Sequence, residues 1–235
     1  MNIKGKIHLV FNKFIVLPFI YLRKFFDTPP TIHSLVIQDS KVTSANYVLK
    51  HLETALLFAR KKELLIFIAN NYNLEGCGFE FGVYKGENIK NLAKLFSNLE
   101  FYGFDSFVGL KENWAGTSFA KGSFTLNDKL PKVGNKINLI KGFFDQSLPL
   151  FLGNFQKKIS LIYFDADTYE STLYCLMQLK DKLESGTIII FDEYLGYPNW
   201  QNGEYRAFSE FCETTNKNFR YLGFSENQCA VQLIN

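Results

Sequence analysis

The chain has 235 residues, 21% of them charged, and a formal net charge of +3, which allows one α/β domain with a sizeable core plus an extension. No Lys/Arg-rich run lies beyond the first two dozen residues, so the main body lacks the basic footprint of a nucleic-acid binder. Four cysteines, Cys77, Cys175, Cys212 and Cys229, show no CxxC spacing, and three of them fall in apolar stretches; they read as reduced residues of a cytoplasmic protein, which excludes a disulfide framework or a zinc ribbon.

Residues 1–30 interleave Lys4, Lys6, Lys13, Arg23 and Lys24 with aromatic and aliphatic side chains. The longest charge-free run, residues 14–22, is nine residues, against the roughly 20 that a spanning helix needs, and no small-residue cleavage site follows it. The segment reads as a helix that packs on the body or on a second subunit of a homo-oligomer; peripheral contact of residues 1–27 with an anionic membrane is the other reading. Pro29-Pro30 closes it as a linker. Residues 31–73 read as a helical cap. Tyr47, Leu49, Leu52, Leu56 and Leu57 recur at mostly helical steps, and Leu64, Leu65 and Phe67 continue past Arg60-Lys61-Lys62, predicting two helices between residues 42 and 69.

Residues 74–235 alternate strands and helices: strand 77–83, helix 88–96, strands 101–104, 137–140 and 160–164, helix 171–183, strand 187–191 and helix 203–212. That alternation predicts a doubly wound, Rossmann-like parallel sheet with helices on both faces, and residues 220–224 and 229–234 add a terminal hairpin. Residues 108–135 are long for a connection and predict a lid. Residues 195–204, with Trp200, predict either acceptor selection or an anchor for the next helix.

Four carboxylates end two of the apolar strands: Asp165 and Asp167 after ISLIYF, Asp192 and Glu193 after TIIIF. Ligands of open α/β sheets bind at the carboxyl ends of strands, so these acids converge on one crevice, where their repulsion calls for a divalent cation or a proton. The first sheet strand runs through Glu80 into Gly82-Val83-Tyr84-Lys85-Gly86, a turn that brings backbone amides and a helix N-terminus to a ligand. Its spacing is not GxGxxG, and Glu80 opposes a phosphate but attracts a ligand carrying positive charge, such as S-adenosylmethionine. Asp105, ending the next strand, suits hydrogen bonds to ribose hydroxyls.

Five motifs in order, Glu80-Phe-Gly-Val-Tyr-Lys-Gly86, Tyr102-Gly-Phe-Asp105-Ser106-Phe-Val-Gly-Leu110, Gly142-Phe-Phe-Asp145-Gln146-Ser-Leu-Pro149, Asp165-Ala-Asp167-Thr-Tyr169 and Asp192-Glu193-Tyr194, resemble the macrocin and mycinamicin (TylF-like) type of S-adenosylmethionine-dependent sugar O-methyltransferase. The resemblance implies a seven-stranded class I methyltransferase sheet, a magnesium or other divalent ion, and a sugar or glycan acceptor. It makes Asp165, Asp192 and Glu193 the metal ligands and Asp167 the general base, and it places Ser123, Phe124, Asp145 and Gln146 around the adenine, with Ser106 and Asp165 also in the cofactor set. Relatives often carry Asp-Asp where this chain has Asp192-Glu193, so the last ligand is one methylene longer.

The chemistry is consistent with these roles: a sugar hydroxyl holds its proton too tightly at neutral pH, and a cation plus a carboxylate base overcome that. Tyr169 and Tyr194 follow the acidic motifs and read as rim packing or as acceptor contacts. His8, His33 and His51 lie outside the sheet motifs and read as solvated or packing residues. Two other functions fit less of the pattern: a catechol-type metal-dependent O-methyltransferase, and a nucleoside- or NAD-binding Rossmann protein without methyl transfer, which has no use for the acid cluster.

Overall fold

Alternating turns and near-continuous runs of Ile, Leu, Phe and Tyr make strands that are buried on both faces, and the computed structural model, which describes residues 10–26 and 29–235, shows them assembled into one sheet. The chain divides into two compact units, residues 1–38 and 39–235. In the first, a π-helical turn over Asn12–Val16 leads into α1 (Leu17–Phe26). The helix α2 (Ile32–Leu49) starts at Thr31, whose hydroxyl accepts the Ser34 N–H at 3.1 Å. His8, Lys4 and Lys6 lie outside the described residues, and His33 is exposed. Among the described residues no helix is long and apolar enough to cross a membrane.

In residues 39–235 the elements after α2 are β1 (Leu56–Leu57), α3 (Lys61–Asn71), β2 (Cys77–Phe81), α4 (Glu87–Leu95), β3 (Glu100–Asp105), β4 (Ile137–Lys141), α5 (Phe144–Leu152), β5 (Ile159–Phe164), α6 (Tyr169–Leu179), β6 (Ile188–Phe191), a 3-10 turn (Trp200–Asn202), α7 (Glu204–Thr215), β7 (Asn218–Phe224) and β8 (Cys229–Ile234). The sheet order is β1-β7-β8-β6-β5-β2-β3-β4. Only β8 runs against its neighbours, as the predicted terminal hairpin requires.

Strand alternation splits the core in two. One face buries Phe79, Phe81, Phe104, Phe164 and Phe191 against Leu148, Leu176, Leu179 and Phe208 from α5, α6 and α7. The other buries Phe101, Leu161, Tyr163, Ile188 and Ile190 against Leu64, Leu65 and Ile68 of α3 and Ile89 and Leu92 of α4. Each fully buried Phe removes enough apolar surface to contribute about 2–3 kcal/mol. All four cysteines are free, and Cys77, Cys175 and Cys229 are buried in this core.

Two departures from the expected elements have physical reasons. The predicted helix through Leu52, Leu56 and Leu57 is broken: α2 ends at Leu49, a turn follows, and Leu56–Leu57 pair in parallel with Gly223 and Phe224, closed by the Phe58 N–H to the Phe224 carbonyl at 2.8 Å. The open edge of β7 supplies hydrogen-bond partners that outweigh local helix propensity, and they make an eighth strand beside the expected seven. The second departure is α5, which begins directly after Phe143 and carries Pro149 in its second turn.

Candidate active site

The end of β2 can meet β5 only because residue 82 is glycine. Gly82 has φ +88°, and a Cβ there would lie 1.8 Å from the Asp165 carbonyl oxygen. The turn that follows is held by Asp105 at the end of β3. Its Oδ2 accepts the N–H groups of Val83 (2.9 Å) and Tyr84 (2.7 Å), and its Oδ1 accepts that of Phe107 (2.7 Å). Asp105 therefore locks two loops at the pocket mouth as well as facing the pocket. Gly86, at φ +75°, supplies the left-handed residue before α4.

Glu80 lies below this turn and outside the pocket lining. It is fully buried, its Oε1 accepts the Asn88 side-chain amide at 2.6 Å, its Oε2 has no partner, and burial pushes its carboxyl well above the usual range. Glu80 thus braces the helix start behind the turn.

Residues 108–135, the long connection expected as a lid, have no helix or strand of their own. The Leu110 N–H bonds the Ser123 carbonyl and the Gly122 N–H the Leu110 carbonyl, both at 2.9 Å, so the lid is a closed loop. Its ties to the body include Lys111 to Asp145 at 2.6 Å, the Thr168 hydroxyl to Glu112 Oε1 at 2.7 Å, Lys141 to Asp128 at 2.7 Å, and Gly116 packed on the Pro198 carbonyl. Under it lies a cavity of about 670 Å³, in the size range of small-molecule sites. Gly82, Tyr84, Asp105, Ser106, Phe124 and Asp145 line one part of it; Asp165, Asp167 and Glu193 line another. Val83, Gly86, Ser123, Gln146 and Asp192 are not in the lining.

At the ends of β5 and β6, Asp165, Asp167 and Glu193 each offer a carboxylate oxygen within 4.8 Å of the others. Burial, with the Asp192 charge next, raises Asp165 to about 7, and burial, with Asp165 next, raises Asp167 to about 8. Glu193 is pushed well above the carboxylate range by burial and then by Asp165, and its Oε2 is buried without a partner. An all-oxygen set of closely spaced, undercompensated carboxylates is the donor chemistry of a hard divalent cation. Asp167 also sits at φ +64°, a left-handed conformation uncommon outside glycine, which aims it into the cluster at a conformational cost.

Asp192 stands apart from that trio. Its Oδ1 takes the Lys61 ammonium at 2.9 Å and the Tyr163 hydroxyl at 2.5 Å, and Lys61 lies over the Tyr163 ring. Burial alone would lower Lys61, but Asp192, with Asp165 and Glu193, more than offsets this and holds its ammonium above the ordinary value. Sequence reasoning took Lys61 for a break between helices; only its position at the N-terminus of α3 brings it to the acids.

Glu204, at the start of α7, was equally hidden. It is fully buried, its Oε2 accepts the Glu193 N–H at 3.1 Å, and its Oε1 is unpartnered. The Tyr197 hydroxyl and Trp114 Nε1 are likewise buried and unpartnered, and their rings meet edge-on at 5.8 Å. Tyr169 instead donates to Glu210 at 2.7 Å, Tyr194 hydrogen-bonds Tyr221 at 2.9 Å, and Trp200 donates to Thr43 at 3.2 Å; all three take the packing alternative. His51 packs against the rings of Tyr47 and Tyr221.

The family model described as Macrocin-O-methyltransferase (TylF) matches residues 123–218, the stretch holding Asp165, Asp167, Asp192 and Glu193. No curated protein matches the chain. Among solved structures, the calicheamicin methyltransferase CalS11 shares 22% identity over 87% of this chain and 94% of that one, at TM-score 0.58. An apo structure of CalS11, described as TDP-rhamnose 3'-O-methyltransferase, gives 22% over 87% and 96% at TM-score 0.52. The O-methyltransferase NovP gives 20% over 73% and 76% at TM-score 0.50. At these identities the structural likeness shows the fold. The chain thus has the fold of these methyltransferases and, over the carboxylate-bearing residues 123–218, is similar to the macrocin O-methyltransferases.

Proposed function

We propose that the chain transfers a methyl group from S-adenosylmethionine to a hydroxyl of a sugar or glycosylated acceptor, assisted by a divalent cation, magnesium first. The observation that carries this reading is one lidded cavity lined both by the glycine turn that Asp105 holds and by three closely spaced, undercompensated carboxylates. The sugar-acting CalS11, on the same fold, and the family match over residues 123–218 support a sugar acceptor.

Asp165 and Glu193 are the residues to hold the cation, whose charge, when bound, lowers the pKa of an acceptor hydroxyl. Asp167, the third oxygen donor of the trio, takes the hydroxyl proton. The oxygen then forms its bond to the methyl carbon as the carbon–sulfur bond breaks, leaving the thioether of S-adenosylhomocysteine. Reaction needs oxygen and methyl carbon about 3 Å apart and in line, which a cavity closed by Glu112–Thr168 and Lys111–Asp145 can enforce while keeping water out. Asp192 is committed to Lys61 and Tyr163, and in this reading it balances charge beside the ligands.

Calorimetric titration of S-adenosylmethionine and S-adenosylhomocysteine, with magnesium and with chelator, tests the reading. Micromolar binding that weakens in Asp105→Ala and survives in Glu193→Gln is the expected result, followed by methyl transfer to sugars that magnesium stimulates. Absence of binding by both ligands overturns methyl transfer, and chelator-insensitive turnover overturns the role of the cation.

A further inference from the structure

Residues 10–22 carry a density of exposed apolar side chains unlike anything in residues 39–235. Phe14 is 70% exposed, Phe19 69% and Tyr21 72%, and Val10, Phe11, Ile15, Leu17, Ile20 and Leu22 are exposed as well. Soluble surfaces seldom leave so many large hydrophobes on one short helical stretch, so the segment has an occupant. The first acidic residue of the chain is Asp27, whereas Lys4, Lys6, Lys13, Arg23 and Lys24 all precede it. Five positive charges and no negative one in residues 1–26 make this end of the chain repel a second copy of itself and attract an anionic surface. Among the described residues no helix is long and apolar enough to cross a membrane.

We infer that residues 10–26 form an interfacial helix that holds the protein on an anionic lipid bilayer. Aromatic and branched side chains enter the acyl boundary, while the Lys13 ammonium meets lipid phosphates and carboxylates. Val10, Phe11, Phe14, Ile15 and Phe19 supply the apolar contact and Lys13 the charge within the helical stretch. The inference is independent of methyl transfer.

The test is cosedimentation of the full chain with vesicles of neutral phosphatidylcholine, or of the same lipid with about one third phosphatidylserine, at low and high salt. Strong recovery with anionic vesicles, weak recovery with neutral ones and release by salt are expected. Each basic residue near such a surface is worth about a fivefold change in partition, so Lys13→Glu lowers it tenfold or more. Phe14→Ser with Phe19→Ser abolishes binding while the thermal transition of the body stays unchanged, which separates lost anchoring from misfolding. Equal recovery with both vesicle types, or full binding by the double Phe variant, overturns the inference. So does light scattering that shows a dimer of the wild type, a monomer of the double Phe variant and no vesicle binding by either; the occupant is then a second copy.

Discussion

The two parts of the pocket treat their carboxylates in opposite ways. Asp105 has both oxygens occupied by three backbone N–H groups, so its charge is satisfied before any ligand arrives. Beyond β5 and β6, Glu193 and, from α7, Glu204 each keep a buried oxygen without a partner, and Asp165 and Asp167 are raised to about 7 and about 8 by burial, with Asp192 next for the first and Asp165 next for the second. The first arrangement is a finished scaffold that shapes a loop. The second is an incomplete one that gains stability when a cation or a polar ligand enters, since an unpartnered buried oxygen costs about 1–3 kcal/mol.

The sharpest way to break this contrast is at Asp167. Asp167→Asn keeps the size and removes the base, so turnover falls by about 10²–10⁴ with S-adenosylmethionine affinity within threefold of the parent, measured by single-turnover kinetics and calorimetry. A variant that turns over normally assigns the proton to another group.

Asp105→Ala strikes the finished side. Loss of an acceptor for three N–H groups costs about 3 kcal/mol and weakens cofactor binding with it, read by denaturant unfolding and calorimetry. If stability is unchanged, the loop does not depend on Asp105.

The unfinished side has a pH signature. Asp165 and Asp167 bind protons more tightly folded than in the unfolded chain, whose aspartates titrate near 3.8, so without a cation their contribution to stability is fully present below about pH 4 and is lost as pH rises through about 7 to 8. A divalent cation binds the deprotonated cluster, so the rise in Tm on adding magnesium or manganese grows from pH 5 to pH 8. A Tm that climbs over this interval in chelator, or that the cation leaves unmoved at pH 8, contradicts the assignment.

Lys61 tests whether one acid of the four is already compensated. Lys61→Met leaves Asp192 with only the Tyr163 hydroxyl and costs about 2 kcal/mol, discounted for the partial exposure of Lys61, and adding Asp192→Asn recovers most of it. Additive losses show that the pair is not coupled. The smallest effect is expected at Tyr197, which is outside the cavity lining: Tyr197→Phe removes a buried, unpartnered hydroxyl and leaves stability within about 0.5 kcal/mol, read by denaturant unfolding, and a larger loss shows that the hydroxyl has a partner.

The sequence by itself determined the strands and which of their ends carry chemistry. Cys229–Ile234 matches the predicted strand 229–234, and β2 to β6 lie within one or two residues of their predicted bounds, because apolar runs closed by Gly, Asp and Asn are local signals. Of the four acids it sent to one crevice, Asp165, Asp167 and Glu193 line the cavity and Asp192 does not. Tertiary structure alone decided the rest. Leu56–Leu57 became a strand because β7 offered an open edge, which no helical periodicity reveals. Glu80 went beneath the turn, and Asp192 went to Lys61 across more than a hundred residues of chain. Neighbouring carboxylates that look alike in sequence differ by which face of a strand they leave and what the opposite helix brings there. Charge compensation is a property of three-dimensional distance, so the division of four acids into one paired and three available could be read only from the fold.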